Sequence, residues 1–562
     1  MKRIPLLTSV ALVATLFFVS CKSGGGTSDL PIPKDAAFVF HVNTSSLTSK
    51  LSWDEIKQSG WFKENYEKEK DSFTRKIMEN PENSGVDMKS DFVVFMKKQG
   101  KSGYVVVEGK IKSTSDFEAL INKNKEGKTI QKDGDLNYVS TENDESLVSW
   151  NKSTFIIMAN APFMGQMNMM GEEGNYEGPY SFPVDSLKKF TKDLLALKES
   201  NSLTDDDRFE DLLEEKGDMH FWMNSEAYMS SMGGVMSMFK FGDLMKGNIG
   251  TFTLNFDDGQ INVKSKSYYG KELAKLMENY KPRNVDEALI NRIPSQDVVG
   301  AMVLNFDPVW LKQFLKAAGL DGFANSYLGR MDLNLDEVIG AMGGQFMMSF
   351  SDFSITKKEV TYPPFYDGGE PYTMMKEEPE FNMLVVSSVG NKASFDKLMN
   401  IAKQNMMGMD TAVSYKVNNE WFAVSNKPET VDKFMAGGNN KVPFADKISG
   451  HPFGMYIDLQ KIFKATQSAN AMDSTTFDLA SKTWLDIVGT GGEYKDGVMS
   501  GEFVINMVDK KTNSLKQLNQ FAEKMNAAEK AKRNRFPDDV VIESYPSDSS
   551  SYDVQPAPAL EQ

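Results

Sequence analysis

Cysteine is almost missing from this chain of 562 residues: Cys21 is its one thiol. A disulfide framework is thereby excluded, and so is any zinc or iron–sulfur site built on cysteines. Histidine is scarce as well. His41, His220 and His451 are the whole complement, and no two share a helical or hairpin spacing. A zinc site needs three or four convergent ligands, so satisfied structural histidines and no metal are expected. Positive charge is in deficit: 63 Lys plus Arg face 78 Asp plus Glu, a net charge of −15. A nucleic-acid partner is not expected, because phosphate neutralisation calls for a basic surface. No G-x-S-x-G, Walker loop or dinucleotide fingerprint occurs, and no cofactor is expected. What remains is globular material. A hydrophobic content of 40% with 25% charged residues excludes wholesale disorder, collagen and a multi-span membrane protein. At roughly 150 residues per domain the chain is long enough for several cores.

The N-terminus reads as an address. Lys2 and Arg3 precede an apolar run from Leu6 to Val19 that stops at Ser20 and Cys21, the layout of a secretory signal over residues 1–20. The run is shorter than the ~20 residues a spanning helix needs. Phe18-Val19-Ser20-Cys21 resembles a bacterial lipobox, and that resemblance implies cleavage before Cys21 and acylation of its sulfur. Loss of Lys2 and Arg3 leaves 61 basic against 78 acidic residues, −17. Such a chain is held at a membrane by lipid rather than by charge. Residues 21–30, with three consecutive glycines from Gly24, form a tether. Lys22 is unlike an inner-membrane retention residue, which favours the outer membrane and its periplasmic side, with surface exposure left open.

The body reads as a tandem duplication of α+β type, with halves at 31–282 and 283–526 and a disordered tail at 527–562. Pro33-Lys34-Asp35-Ala36 opens a strand ending at Asn43; Pro294-Ser295-Gln296-Asp297 opens one ending at Asn305. A helix is expected after each, capped by Ser45 or Ser46 in the first case and by Asp307 with Pro308 in the second. Tyr104 to Val107 and then residues 116–121 match Met383 to Val386 and then residues 394–399. Ser115 with Glu118 forms a candidate capping box. Strand and Asn-x-Pro recur at Asn160-Ala161-Pro162 and Asn426-Lys427-Pro428, preceded by hairpins around Gly134 and Asn418-Asn419. A smaller strand–helix–hairpin–helix module follows in each half. Its hairpins turn at Asp258-Gly259 and Asp496-Gly497, and its terminal helices span Leu273 to Tyr280 and Leu515 to Met525. Each half is thus expected as an antiparallel sheet with helices on one face, joined by a link from Lys281 to Arg292.

The lipobox, the Pro-x-Asp-Ala opening, the repeated strand–helix pairs and the Ser/Pro tail resemble a family of large Bacteroidetes-type envelope lipoproteins. That family is described only as a domain of unknown function. The likeness covers most of residues 30 to 525 and implies fold and location without implying any catalytic residue.

Chemistry is thin. Asp332, Asn334 and Asp336 alternate like calcium ligands, but Glu337 replaces the turn glycine and Gly343 the bidentate acid, so a polar helix start over buried Leu333 and Leu335 is the better reading. Methionine clusters at Met164, Met167, Met169 and Met170, at Met229, Met232, Met236 and Met238, and at Met406, Met407 and Met409. Thioethers bind Cu(I) but also fill cores. The largest departure between halves is an insertion. The connection Lys97 to Gly103 is short, whereas its counterpart Ser354 to Glu380 is long, aromatic and Pro-rich. Tyr362, Phe365, Tyr366 and Tyr372 are candidates for contact with a glycan or an envelope protein, against a loop that folds over its own sheet edge. The expectation is a lipid-anchored, non-catalytic binding or scaffold protein tied to the membrane through Cys21. Two alternatives are an envelope glycan hydrolase with a carboxylate pair in the cleft between halves, and copper handling through methionine.

Overall fold

Alternation of apolar side chains along short β-branched and aromatic runs, punctuated by Asp-Gly and Asn-rich turns, produces strands throughout the chain. A computed structural model describes residues 30–100, 102–125, 127–140, 145–161, 181–229, 240–364, 370–405, 413–468 and 473–535. The strands up to residue 268 are β1 (Ala36–Val42), β2 (Phe92–Gln99), β3 (Ser102–Lys110), β4 (Gln131–Asp133), β5 (Leu136–Ser140), β6 (Ser146–Trp150), β7 (Thr154–Ala161), β8 (Met219–Asn224), β9 (Ile249–Asp257) and β10 (Gln260–Tyr268). Those after it are β11 (Val298–Asn305), β12 (Met342–Tyr362), β13 (Tyr372–Val389), β14 (Ser414–Val417), β15 (Trp421–Ser425), β16 (Phe453–Asp458), β17 (Trp484–Lys495) and β18 (Val498–Met507). With its many helices the chain is α+β.

All eighteen strands join one antiparallel sheet. Its first part runs β4–β5–β6–β7–β3–β2–β1–β8–β9–β10. β10 then pairs with β18, from Gln260 opposite Asn506 to Tyr268 opposite Val498. From there the order is β18–β17–β16–β11–β12–β13–β15–β14. Counted outward from the β10–β18 seam, the first seven strands on either side occur in the same chain order. The hairpins expected at Gly134, Asp258-Gly259, Asn418-Asn419 and Asp496-Gly497 all form. Gly259 has φ +67°, and a Cβ there would strike the backbone of Lys510, so this turn admits glycine alone.

Helices cover both faces of the first part, not one as expected. Neighbouring residues of a strand point to opposite faces. On one face Val39, Val93, Phe95 and Trp222 pack with Leu187 and Phe209 from the helices Val184–Leu195 and Asp207–Glu214. On the other, Val42, Phe92 and Phe155 pack with Leu47, Ile56, Phe62 and Phe117 from helices between residues 44 and 124. An alternating strand has an apolar set for one face only, but here both sets are apolar, and each requires a cover. Around β11, a third core holds Val303, Met347, Leu384, Val386, Val431 and Phe434.

Several local expectations are corrected. Asn43, not Ser45 or Ser46, caps the helix Thr44–Lys50, its side chain accepting from Ser46 N at 2.9 Å. Ser113, not Ser115, caps Thr114–Asn124, while Glu118 instead accepts from Trp150 Nε1 at 3.3 Å. The link Lys281 to Arg292 is core rather than spacer, since Val285, Leu289 and Ile290 are buried. The last helix spans Ser514–Arg535, well into the segment expected to be disordered. Composition alone hid its partners: Trp61 Nε1 donates to Asn519 Oδ1 at 3.1 Å, and Glu64 pairs with Lys530. Asp307 caps Pro308–Ala317 as expected, and Asn334 with Glu337 forms a capping box over buried Leu333 and Leu335. Pro162 and the segment after it, to residue 180, fall outside the described residues. Among the described residues no helix is long and apolar enough to cross a membrane.

Candidate functional site

Two histidines that are far apart in sequence meet in the sheet. β1 and β8 pair antiparallel with His41 opposite His220, and because directly opposed residues share a face, the two rings come together. The sequence signal was present, since each histidine lies on a strand. What was missing was the β1–β8 pairing, which brings together residues 179 apart. Both rings are buried. His41 Nδ1 lies 3.0 Å from His220 Nδ1, His41 Nε2 lies 3.1 Å from Asp91 Oδ2, and His220 Nε2 lies 3.0 Å from the Glu215 carbonyl.

The proton positions follow from donor and acceptor rules. A carbonyl only accepts, so His220 Nε2 carries hydrogen and donates to Glu215 O. Burial, then the neighbouring His41, push the His220 pKa down to about 4, so the ring is neutral near pH 7 and its Nδ1 is an acceptor. His41 Nδ1 therefore donates to it. On its other side His41 Nε2 faces the Asp91 carboxyl. The chain runs Asp91, His41, neutral His220, Glu215 carbonyl. Gly217 makes room for it: a Cβ there would sit 2.5 Å from His220 Nε2.

Charges continue on either side. Burial acts to raise the Glu215 pKa, but the Lys266 ammonium and the Thr253 hydroxyl, which donates at 2.7 Å, outweigh it and hold the group low. Asp218 is fully buried and accepts from Lys50 Nζ, Ser46 Oγ and Phe256 N, each at 2.6 Å. It ties the helix Thr44–Lys50 to β9. The arrangement is a proton-sensitive polar seam beneath the helix Asp207–Glu214, with both imidazole rings buried and the Asp91, Glu215 and Lys266 side chains partly exposed around them.

On the same sheet face lies Glu108, flanked by Val93 and Ile156 on the adjacent strands. It is fully buried, and neither carboxyl oxygen has a hydrogen-bond partner among the described residues. Burial pushes its pKa well above the usual carboxylate value, so the group folds as the neutral acid. Ser149 Oγ and Trp222 Nε1, nearby on this face, are likewise unpartnered. Keeping Glu108 protonated at pH 7 costs stability. The stabilising contribution of its raised pKa is whole below about pH 4.5 and is lost as pH rises. Glu108→Leu is expected to stabilise the protein by about 1–3 kcal/mol at pH 7 and by less at pH 4. Urea unfolding at the two pH values checks this, and a gain independent of pH would contradict it.

The aromatic insertion is no loop over a sheet edge. Ser354 to Tyr362 and Tyr372 to Glu380 extend β12 and β13 as a two-stranded ribbon, an arm of roughly 27 Å at ~3.4 Å per residue. Tyr362 and Tyr372 stack across its end, centroids 5.4 Å apart and planes 16° from parallel. Val360 and Met374 form the next rung on the same face. The stem is laced by Lys357–Glu377, Lys358–Glu378, Lys358–Glu380 and Lys376–Glu378. Phe365 and Tyr366 lie outside the described residues, as do Cys21 and the side chains of all three methionine clusters. His451 pairs with Glu493 at the surface, away from the other histidines. Among the described residues no group of three or more His, Cys, Asp and Glu could hold a metal ion. A shallow depression of about 330 Å³ lies between Asp133, Asp135, Asn151, Lys192 and Leu195, with Lys192 bridged to Asp133.

Residues 30–299 match the model of a family described as Domain of unknown function (DUF4836). No curated protein matches the chain. A solved structure described as "Structure of crystal form I of TP0453" is similar over 44% of this chain and 81% of its own, at 9% identity and a TM-score of 0.24. A likeness so slight carries no argument.

Proposed function

We propose, from the match of residues 30–299 to that family of unassigned activity, that the protein is a lipid-anchored envelope protein that binds or scaffolds a partner and performs no chemistry. The observation that carries this reading is the arm. Its stem is laced by lysine–glutamate pairs, while its end carries the stacked Tyr362 and Tyr372, the division expected of a spacer that presents a contact surface. Anchoring through Cys21 at the outer membrane is supported by the lipobox-like Phe18-Val19-Ser20-Cys21 and the tether after it. A duplicated body is supported by the equal strand order on either side of the β10–β18 seam. β1, β2, β3, β7, β8, β9 and β10 correspond to β11, β12, β13, β15, β16, β17 and β18.

Hydrolysis is disfavoured by the setting of Glu108. Its raised pKa belongs to a carboxyl enclosed by Val93 and Ile156 rather than to one facing a second acid across a cleft. The test is cross-linking in intact cells with wild type, with Cys21→Ser, and with Tyr362, Phe365, Tyr366 and Tyr372 all changed to Ala. Cys21→Ser is expected to leave the membrane fraction, and the four-alanine variant to lose the captured partners while staying folded. Unchanged captures from the latter remove the arm as the contact.

A further inference from the structure

The two faces of the sheet around β11 are equally apolar but unequally covered. Val303, Met347, Leu384, Val386 and Ala423 point to one face and are sealed in the third core. Their chain neighbours point to the other face. There Met455, Met302, Met348, Val385 and Val424 stand directly opposite one another on β16, β11, β12, β13 and β15, an unbroken row across five strands. All five are half-buried, as are Leu304 and Phe346 in the next row.

The first part of the sheet shows this layer closed. Val42 opposite Phe92, on β1 and β2, is the counterpart in strand order of Leu304 opposite Phe346. Phe92 packs with Phe155, and Phe155 with Phe117 from the helix Thr114–Asn124; all three are buried. In the later part Phe395 from the helix Lys392–Asn405 meets Phe422 of β15 in the same manner, centroids 5.4 Å apart. Yet Phe346, Phe395 and Phe422 are each half-buried. The connections make the difference. Four α-helices lie between β1 and β2, and Ile56 and Phe62 from two of them fill the core. Three lie between β11 and β12, of which Pro308–Ala317 and Asp321–Gly329 bury no residue. The layer wants apolar filling that these helices do not supply.

The row from Met455 to Val424 crosses four strand spacings, roughly 19 Å at ~4.8 Å each, the reach of an extended palmitoyl chain. It has no charge and no hydrogen-bonding side chain, so its complement has neither along its length. Its three thioethers adapt to a flexible occupant. Recessed beside Phe395 and Phe422, it admits a slender chain rather than the surface of a folded partner, and a single row suits a single chain. We propose that this trough takes up the aliphatic chain of a long-chain fatty acid, whose burial supplies the missing filling. The site is separate from the arm and does not rest on the arm as a contact element.

The test titrates the full chain, in a Cys21→Ser background, with palmitate below its micellar concentration, and places the contact with a photoactivatable palmitate. Saturable binding is expected, with adducts on the peptides that carry Met302, Met348, Val385 or Val424. Met348→Asp and Val385→Asp are expected to weaken palmitate binding by about tenfold or more, because the chain would strip water from a carboxylate on the floor. Phe40→Asp, at the exposed position of β1 that corresponds to Met302, is expected to leave the affinity unchanged. The adducts are read on the unsubstituted trough, so the site is placed even where an aspartate variant fails to fold. Absence of saturable binding, the result expected if another part of the chain or a second copy fills the trough, overturns the proposal. Adducts confined to residues before 299 or to the arm overturn it as well. None of these results touches the partner captures lost with the four aromatics, which decide the binding reading separately.

Discussion

Acidifying the protein from pH 7 to pH 4 is expected to remove roughly 3 kcal/mol of stability through His220 alone. The folded pKa is about 4 against an ordinary 6.5. Above pH 6.5 both folded and unfolded states hold the ring neutral, and nothing is lost. Below it the unfolded chain takes up a proton that the folded chain refuses, so stability falls until the folded pKa is reached. Asp91, His41, Glu215 and Lys266 surround the ring, so the substitution must isolate one proton. His220→Asn does so, because its Oδ1 can accept from His41 Nδ1 as the imidazole did, yet it has no pKa in this range. The difference between variant and wild type, followed by urea unfolding, is expected to shift by roughly 3 kcal/mol between pH 7 and pH 4 in favour of Asn. A constant difference would mean that His220 already titrates normally, and the donor–acceptor assignment of the chain would fall with it.

The second large effect concerns Asp218. Its carboxylate has no exposed surface and receives three donors, one of them the Lys50 ammonium. Deleting it leaves a part-buried cation and the Phe256 amide without an acceptor, and removing one partner of a buried pair costs about 3–5 kcal/mol. Lys50 keeps 20% of its side chain exposed and can swing toward water, so Asp218→Ala is expected near the low end of that range. Asp218→Asn retains an acceptor and is expected to lose less. A shift in urea midpoint at unchanged slope is the measurement. A loss below about 1 kcal/mol would show that the helix Thr44–Lys50 is held by Leu47 packing instead.

Local signals carried much of the architecture. Asp258-Gly259 and Asp496-Gly497 announced their hairpins because φ > 0 and strand alternation are readable within a few residues. Asp307-Pro308 announced its helix for the same reason. What escaped was pairing at long range. Nothing near His41 says that β8 will lie beside it, and nothing near Ile261 says that β10 will join β18. The cap at Asn43 was missed because four consecutive polar residues, Asn43 to Ser46, compete for one position, and only the turn's geometry chooses. The tail to Arg535 read as disordered because its helix is stabilised by Trp61 and Glu64, contacts that composition cannot contain. The arm was visible as an excess of length. Its form as a ribbon depended on the register of Lys357 against Glu377 and of Tyr362 against Tyr372, which appears only when both strands are aligned.

The seam between β10 and β18 bears on how the chain can be divided. The family match ends at residue 299, inside β11. A fragment cut there would carry β10 as a raw flank nine residues long. It would also lack Leu515, which is buried against Phe256 and Ile261 in the first-half core. Expressed alone, such a piece is a candidate for sticking to itself, whereas co-expression with the remainder would let the two fragments zip along that flank and restore the missing leucine.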